Sequence, residues 1–380
     1  DHDAHDVSYA GTRGNIANIP DGLRCEKLTW DPDGPPVEDQ IRPWVAEQKP
    51  FERIITRHEA LILPAAVLRD EFGIPGLPTA VARNFRDKVA MKTAVAAAGL
   101  ATPRFVSASQ LPDTVPWQGQ TVVKPRDGAG SKGVWVFDDY PAARAFVQST
   151  VAPDERDGLE VEEYLIGQIW HVDGYLFERE PVAVQASRFI NSCLAFEHGE
   201  PLGSVQYPRP DLEAWAVECV RALGGRSLTF HLELIETERG PVLVEVAGRC
   251  GGGHIADATL ARTGVYLHTV DMASDVAGRL ATHLIGAPSD QAYGWFCYPG
   301  HVHQGTTCDV SVPDGMLDDP RVREFRVYPR GVALPTGRSY RPENLPLVGM
   351  VHGPDPDALD RWIRELFARA SVRGLTPSSP

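Results

Sequence analysis

The sequence predicts a mixed fold, α/β at its N-terminal end and α+β beyond, and three stretches carry that prediction. Residues 53–75, RIITRHEALILPAAVLRDEFGIP, read as a short strand over 53–56 and then a helix. Proline- and glycine-rich connections flank them, the alternation of a small open α/β domain. Residues 121–137, TVVKPRDGAGSKGVWVF, read as strand, glycine loop, strand. Residues 230–247, FHLELIETERGPVLVEVA, read as two apolar strands joined by a polar turn that holds Gly240, an antiparallel hairpin.

At 380 residues the chain exceeds one ordinary core, so two or three domains are expected. A net charge of -14 argues against a general nucleic-acid binder, whose footprint would be a basic face. Cys25, Cys193, Cys219, Cys250, Cys297 and Cys308 form no CxxC pair and read as reduced thiols. Neither a membrane span nor a leader is expected, and the reading is cytoplasmic. The opening DHDAHD lacks Met; a frayed terminus explains His2 and His5 better than a metal site.

In the first domain, Leu61, Leu63, Ala66 and Val67 mark the apolar positions of the helix, which ends at Gly73 and Pro75. Arg57, His58 and Glu59 then lie either at the C-terminal end of a strand, where open sheets bind ligands, or in the first helical turn. Lysine occurs only at Lys27, Lys49, Lys88, Lys92, Lys124 and Lys132. Where arginine is otherwise preferred, Lys88, Lys124 and Lys132 stand out as compact point charges inside structured motifs. Asp87 is a fair N-cap, which places Lys88 at the positive end of a helix, where it either wants an anion or is simply solvated.

Gly128, Gly130 and Gly133 satisfy GxGxxG on paper, but a strand follows where a dinucleotide fold needs a helix. Walker A fails too, because Val134 follows Gly133. What remains is a flap whose glycines, Ser131 and Lys132 can fold over phosphates through backbone N–H groups, or else a mobile hairpin tip. Downstream, residues 159–163 and 169–177 are strands around the turn 164–167, residues 181–194 continue the sheet through Arg188, and residues 211–223 are an amphipathic helix. The tail has strands at 322–328 and 347–351 and a last helix at 357–370. His301, His303 and Cys308 fit no standard zinc spacing.

In the hairpin, Glu233 and Glu245 lie side by side among apolar residues and repel unless a cation lies between them. Oxygen-only ligands, with Arg249 four residues on, suit Mg²⁺ bound together with substrate phosphates. After Arg249, Gly251, Gly252 and Gly253 let backbone N–H groups approach a carboxylate closely, next to His254. His231 is either a substrate contact or a core histidine. Arg188 is a further substrate candidate.

In this order the pieces resemble the ATP-grasp superfamily, and within it carboxylate-amine ligases similar to L-amino acid ligases. The carriers are RDKVAMK at 86–92, VVKPRDGAGSKGV at 122–134, VEEYLIG at 161–167, FHLE at 230–233 and LVEVAGRCGGGHI at 243–255. The resemblance implies an N-terminal open α/β domain (1–85), a small subdomain with the flap (86–165) and a large subdomain with the metal and substrate sites (166–380), the last two sandwiching ATP. It implies that Lys88, Lys124 and the 128–133 flap contact ATP phosphates. Glu162, with the backbone of Glu163 and Leu165, would hold adenine. Glu233 and Glu245 would hold Mg²⁺, with Mn²⁺ as the alternative ion, and Arg249 would be catalytic. Two places depart from the pattern: Ile169 replaces an acidic ribose contact, leaving that role to Gln168 or Asp173, and Ala247 replaces an Asn that often adds a ligand oxygen.

The activity so implied is ATP-dependent amide formation between a small-molecule carboxylate, such as an amino acid, and an amine, through an acyl phosphate. A bicarbonate-using carboxylase and a non-catalytic nucleotide-binding regulator are the rivals, and a homodimer is expected by family resemblance.

Overall fold

The computed structural model describes residues 2–48, 50–335 and 337–376. Two compact units divide between Ala82 and Arg83. In the first, Val7–Gly11 and Cys25–Thr29 pair in parallel, followed by the helices Val37–Glu47 and Ile62–Phe72. Gly73 ends the second helix in the left-handed conformation (φ 65°), as its position in the sequence implied. The strand expected over 53–56 does not form. That segment has no ladder partner, and the Ile54 carbonyl accepts hydrogen bonds from the Arg69 guanidinium instead. Residues 59–61 make a single 3₁₀ turn leading into the helix, so Glu59 belongs to a helix start and not to a strand end.

The second unit holds a two-stranded sheet, Thr307–Ser311 with Ser371–Leu375, and two larger ones, all antiparallel. The smaller of those two has the strand order Phe105–Ser107, Leu159–Glu163, Thr121–Pro125, Trp135–Phe137. The helices Lys88–Ala97 and Tyr140–Thr150 accompany it. Asp87 caps the first of these by accepting from the N–H groups of Val89 and Ala90. The larger sheet runs Gly240–Ala247, Leu228–Thr237, Gln168–Phe177, Glu180–Ile190, Leu202–Gln206, Ala292–Tyr298, Leu347–Gly353, Val322–Val327. Its strand Glu180–Ile190 stops short of the expected end at 194, because Ser192 caps a short helix, Cys193–Glu197.

Strand periodicity divides the side chains of the large sheet between two apolar layers. On one face Tyr175, Phe189, Trp295 and Met350 pack with the helices Ile255–Thr263 and Leu267–Ala277. On the other Val205, Phe296 and Val351 pack with Leu359, Trp362 and Ile363 of the last helix, Pro356–Arg369. The predicted hairpin is therefore one edge of a sheet whose interior is covered on both sides.

Gly174 lies where the central strands crowd. A Cβ there would sit 2.6 Å from the Ala183 carbonyl oxygen and 2.9 Å from the Phe230 ring. Gly174→Ala is expected to destabilise the chain by about 1–3 kcal/mol through overpacking, read as a lowered denaturant midpoint.

Candidate active site

The site lies within the second unit, in a cleft of about 330 Å³ bordered by both sheets. Its charged floor follows from strand register. Glu233 and Glu245 are direct partners across the hairpin, so both carboxylates leave the same face. In the small sheet Lys124 stands opposite Glu160, and Glu162, two residues along, shares that face.

Lysines meet three of these carboxylates, two of the lysines being shared between Glu160 and Glu162. Lys88 Nζ lies 3.2 Å from Glu245 Oε2 and donates to the Gly128 carbonyl of the flap at 2.6 Å. Burial works to raise the Glu245 pKa, but the Lys88 and Lys124 ammonium groups outweigh it and hold the value at about 2. Lys124 reaches Glu162 at 2.6 Å and Glu160 at 3.6 Å. Fully buried Lys92 lies between the same two glutamates, 2.7 Å from Glu160 and in close contact with Glu162. Burial opposes charge on Glu162, yet Lys124 and Lys92 push its pKa below the ordinary range.

Glu233 is held differently. His231 Nε2 lies 3.3 Å from Glu233 Oε1, and its Nδ1 lies 2.8 Å from Asp173. Asp173 also bonds His171 at 2.5 Å, and His171 bonds the Ser204 hydroxyl at 2.8 Å. Burial alone would lower the His231 pKa, but Asp173 and Glu233 raise it to about 10. His231 is thus a buried histidine satisfied by carboxylates. The Cys193 thiol, on the short helix after the central strand, lies 3.8 Å from the same Glu233 oxygen.

Of the residues singled out in the sequence, Lys88, Lys124, Gly128, Gly130, Ser131, Lys132, Glu162, Glu163, Leu165, Glu233 and Glu245 line the cleft. Gly133, at φ 69°, lies in the same flap with Pro125 against its α-carbon. The Glu162 carboxylate is committed to lysines and so positions them, while Glu163 is engaged by Arg104 and Arg239. Leu165 of this turn is an apolar part of the cleft lining, and the Glu163 and Tyr164 N–H groups are given to the Arg104 and Gln120 carbonyls.

Several expectations need correction. Arg188 does not enter the site. It pairs in register with Trp170, one residue out of step with Glu233 and its partner His171, and so points from the opposite face. There it stacks on Tyr207 and bridges to Asp360 and Asp357. Asp173 is buried between histidines and does not reach the cleft, so it is not a ribose contact; Ile169 lines that wall. Arg249 lies two residues past its strand and donates to the Cys250 carbonyl at 2.7 Å, outside the cleft lining. His254 is occupied with Asp257 at 2.9 Å.

The glycine run serves close packing. Cβ atoms at Gly251 and Gly252 would meet His231 at 2.8 Å and Tyr340 at 2.7 Å. The Gly253 N–H is already given to the Tyr340 carbonyl at 2.8 Å.

Sequence reasoning missed Lys92 and Glu160, although Lys92 lies one helical turn from Lys88 on the same face. It also missed Arg338, whose guanidinium binds the Gly130 carbonyl of the flap and Glu197 at 2.7 Å. No local signal marks Arg338, since its partners lie more than a hundred residues away.

No protein-family model matches the chain. It is 26% identical over 227 residues to the L-arginine-specific L-amino acid ligase of Bacillus subtilis, covering 54% of this chain and 53% of that protein. It is 25% identical over 189 residues to the dapdiamide A synthase of Enterobacter agglomerans, covering 44% of this chain and 43% of that one. The chain thus matches about half the length of these curated relatives. Among solved structures it is similar to the L-amino acid ligase of Bacillus licheniformis, with TM-score 0.72 and 19% identity over 98% of this chain and 93% of that one. The fold is ATP-grasp, and the chain is similar to the L-amino acid ligases within it.

The lysine–glutamate cluster gives a stability test. Lys92→Met leaves Glu160 and Glu162 with one lysine between them and is expected to cost about 3–5 kcal/mol in denaturant unfolding. Glu162 has a depressed pKa, so its contribution is present above the ordinary value of 4.5 and is lost as pH falls below it. The difference between wild type and Lys92→Met should therefore shrink under acid.

Proposed function

We propose that this chain is an ATP-dependent ligase that joins the carboxylate of an amino acid to an amine and releases ADP and phosphate. The observation that carries the reading is the in-register pair Glu233 and Glu245 facing Lys88, Lys124 and the glycine flap across one cleft. The similarity to amino acid ligases supports it.

A carboxylate resists amines because its charge repels the nucleophile and oxide is a poor leaving group. Transfer of the γ-phosphoryl group of ATP to a carboxylate oxygen gives an acyl phosphate, and the amine then displaces phosphate to form the amide. In this reading Lys88 and Lys124, both in the cleft lining, neutralise the polyphosphate, and Leu165 and Ile169 supply apolar walls for the base. The flap, through the backbone of Gly128, Gly130 and Ser131, covers the phosphates and keeps water from the acyl phosphate. Arg249, outside the cleft lining, would have to turn from the Cys250 carbonyl to meet the charge that develops in both displacements.

Two hard-oxygen donors beside lysines suit Mg²⁺ bound jointly by protein and phosphate, and Glu233 and Glu245 would hold it. When bound, that ion supplies Lewis-acid neutralisation of the phosphoryl oxygens.

Incubation with ATP, Mg²⁺ and pooled amino acids tests the reading. ADP and phosphate should appear only with particular substrate pairs, together with a new amide mass. Turnover that depends on bicarbonate and yields no amide would replace the ligase with a carboxylase, and nucleotide binding without turnover in any pool would leave a regulator. Within the ligase, Glu245→Gln and Arg249→Ala should each lower kcat by on the order of a hundredfold or more, with Arg249→Ala largely sparing ATP affinity. Full activity in Arg249→Ala would remove it from the chemistry.

A further inference from the structure

The two carboxylates of the site are held by groups of different kinds. On Glu233, His231 is fixed from behind by Asp173, His171 and Ser204, all side chains of the large sheet. None of these can leave without breaking a buried hydrogen-bond chain. On Glu245, the cation arrives from outside the sheet. Lys88 is the first residue of the helix Lys88–Ala97, and its ammonium spans two acceptors, Glu245 Oε2 at 3.2 Å and the flap carbonyl of Gly128 at 2.6 Å. A lysine ammonium is a compact charge on a flexible four-carbon stem, so it can exchange one acceptor for another without moving its backbone.

A divalent ion held by Glu233 and Glu245 would compete with this ammonium for the Glu245 carboxylate. With Lys88 on Glu245 Oε2, an ion coordinated between the two glutamates would face a positive charge at contact distance, and Glu245 would have to share its charge between them. A polyphosphate changes that balance. It offers Lys88 a more highly charged acceptor in the same cleft, which would draw the ammonium off both Glu245 and Gly128.

We propose that Lys88 is the exchangeable occupant of the metal position: it fills the site by pairing with Glu245 until nucleotide phosphates take it over. This rests on the assignment of Glu233 and Glu245 as metal ligands made above. Two consequences follow. Divalent ion and nucleotide bind with positive coupling, each raising the affinity of the other. The same exchange frees the Gly128 carbonyl, so the flap loses its tie to Lys88 as the ion enters.

The test is Mn²⁺ binding to the full-length chain without nucleotide, followed by electron paramagnetic resonance of the free ion. Wild type should leave Mn²⁺ largely free where Lys88→Met and Lys88→Gln bind one ion at least about tenfold more tightly. Lys88→Arg, which keeps a cation, should stay near wild type. The gained affinity should vanish in Lys88→Met combined with Glu245→Gln, which places it at this carboxylate. Circular dichroism checks that each variant is folded.

Wild type binding Mn²⁺ without nucleotide as tightly as Lys88→Met would overturn the proposal. The Mg²⁺ dependence of ADP affinity separates that failure from failure of the metal assignment. If Glu245→Gln removes the dependence while Lys88→Met gains no Mn²⁺ site, the ligands stand and the exchange falls. If Glu245→Gln leaves the dependence intact, the ligand assignment falls, and the exchange with it.

Discussion

The constraint on which the rest of the site depends is charge balance in a buried place. Glu160, Glu162 and Lys92 are withdrawn from water, and Lys124 is nearly so. An isolated charge in such a place is costly, so each must meet its counter-charge at hydrogen-bonding distance. That requirement couples elements far apart in sequence. The helix Lys88–Ala97 must deliver Lys92, the strand Leu159–Glu163 two glutamates, and the strand Thr121–Pro125 Lys124, all at one point. The small sheet is therefore assembled around its ions as well as around its apolar cluster of Val123, Val147 and Val161.

The same balance shapes the proposed nucleotide site. Burial favours the neutral form of Lys124, yet Glu162 and Glu160 raise its pKa above the ordinary lysine value, so the cation is kept ready. A lysine oriented by carboxylates meets a phosphate with little reorganisation, the property that makes electrostatic stabilisation effective. The glutamates behind it thus act through the lysine, without needing to touch the ligand.

What the sequence revealed follows from the range of its signals. The hairpin was legible because a period of two and a polar turn act over a few residues, and pairing then had to bring Glu233 beside Glu245. Asp87 as a cap and Gly73 as a helix stop were legible for the same reason. Arg188 was misplaced because alternation tells which residues of one strand share a face but not which face joins the neighbouring strand's functional side. That needs the register Trp170 to Arg188, which no local pattern records. The strand expected over 53–56 failed similarly: an apolar extended run is a strand only if a partner edge exists. Lys92 was within reach, since the scarcity of lysine applied to it as fully as to Lys88.

Arg338 shows what lies wholly beyond local reading, and it bears on how the cleft closes. Its guanidinium holds the Gly130 carbonyl in the flap and Glu197 on the short helix after the central strand. Two residues on, the Tyr340 ring stacks on Phe196 of that helix at 5.1 Å, and its carbonyl accepts the Gly253 N–H from the loop after Arg249. One short segment thus ties together the 128–133 flap, the helix carrying Cys193 and the glycine loop. Gly252 has no room for a side chain because Tyr340 lies against it. A flap that moves must either break the Arg338 contacts or carry residues 338–340 with it. The second course disturbs the loop that follows Arg249, so access to the cleft and the placing of that loop share one mechanical support.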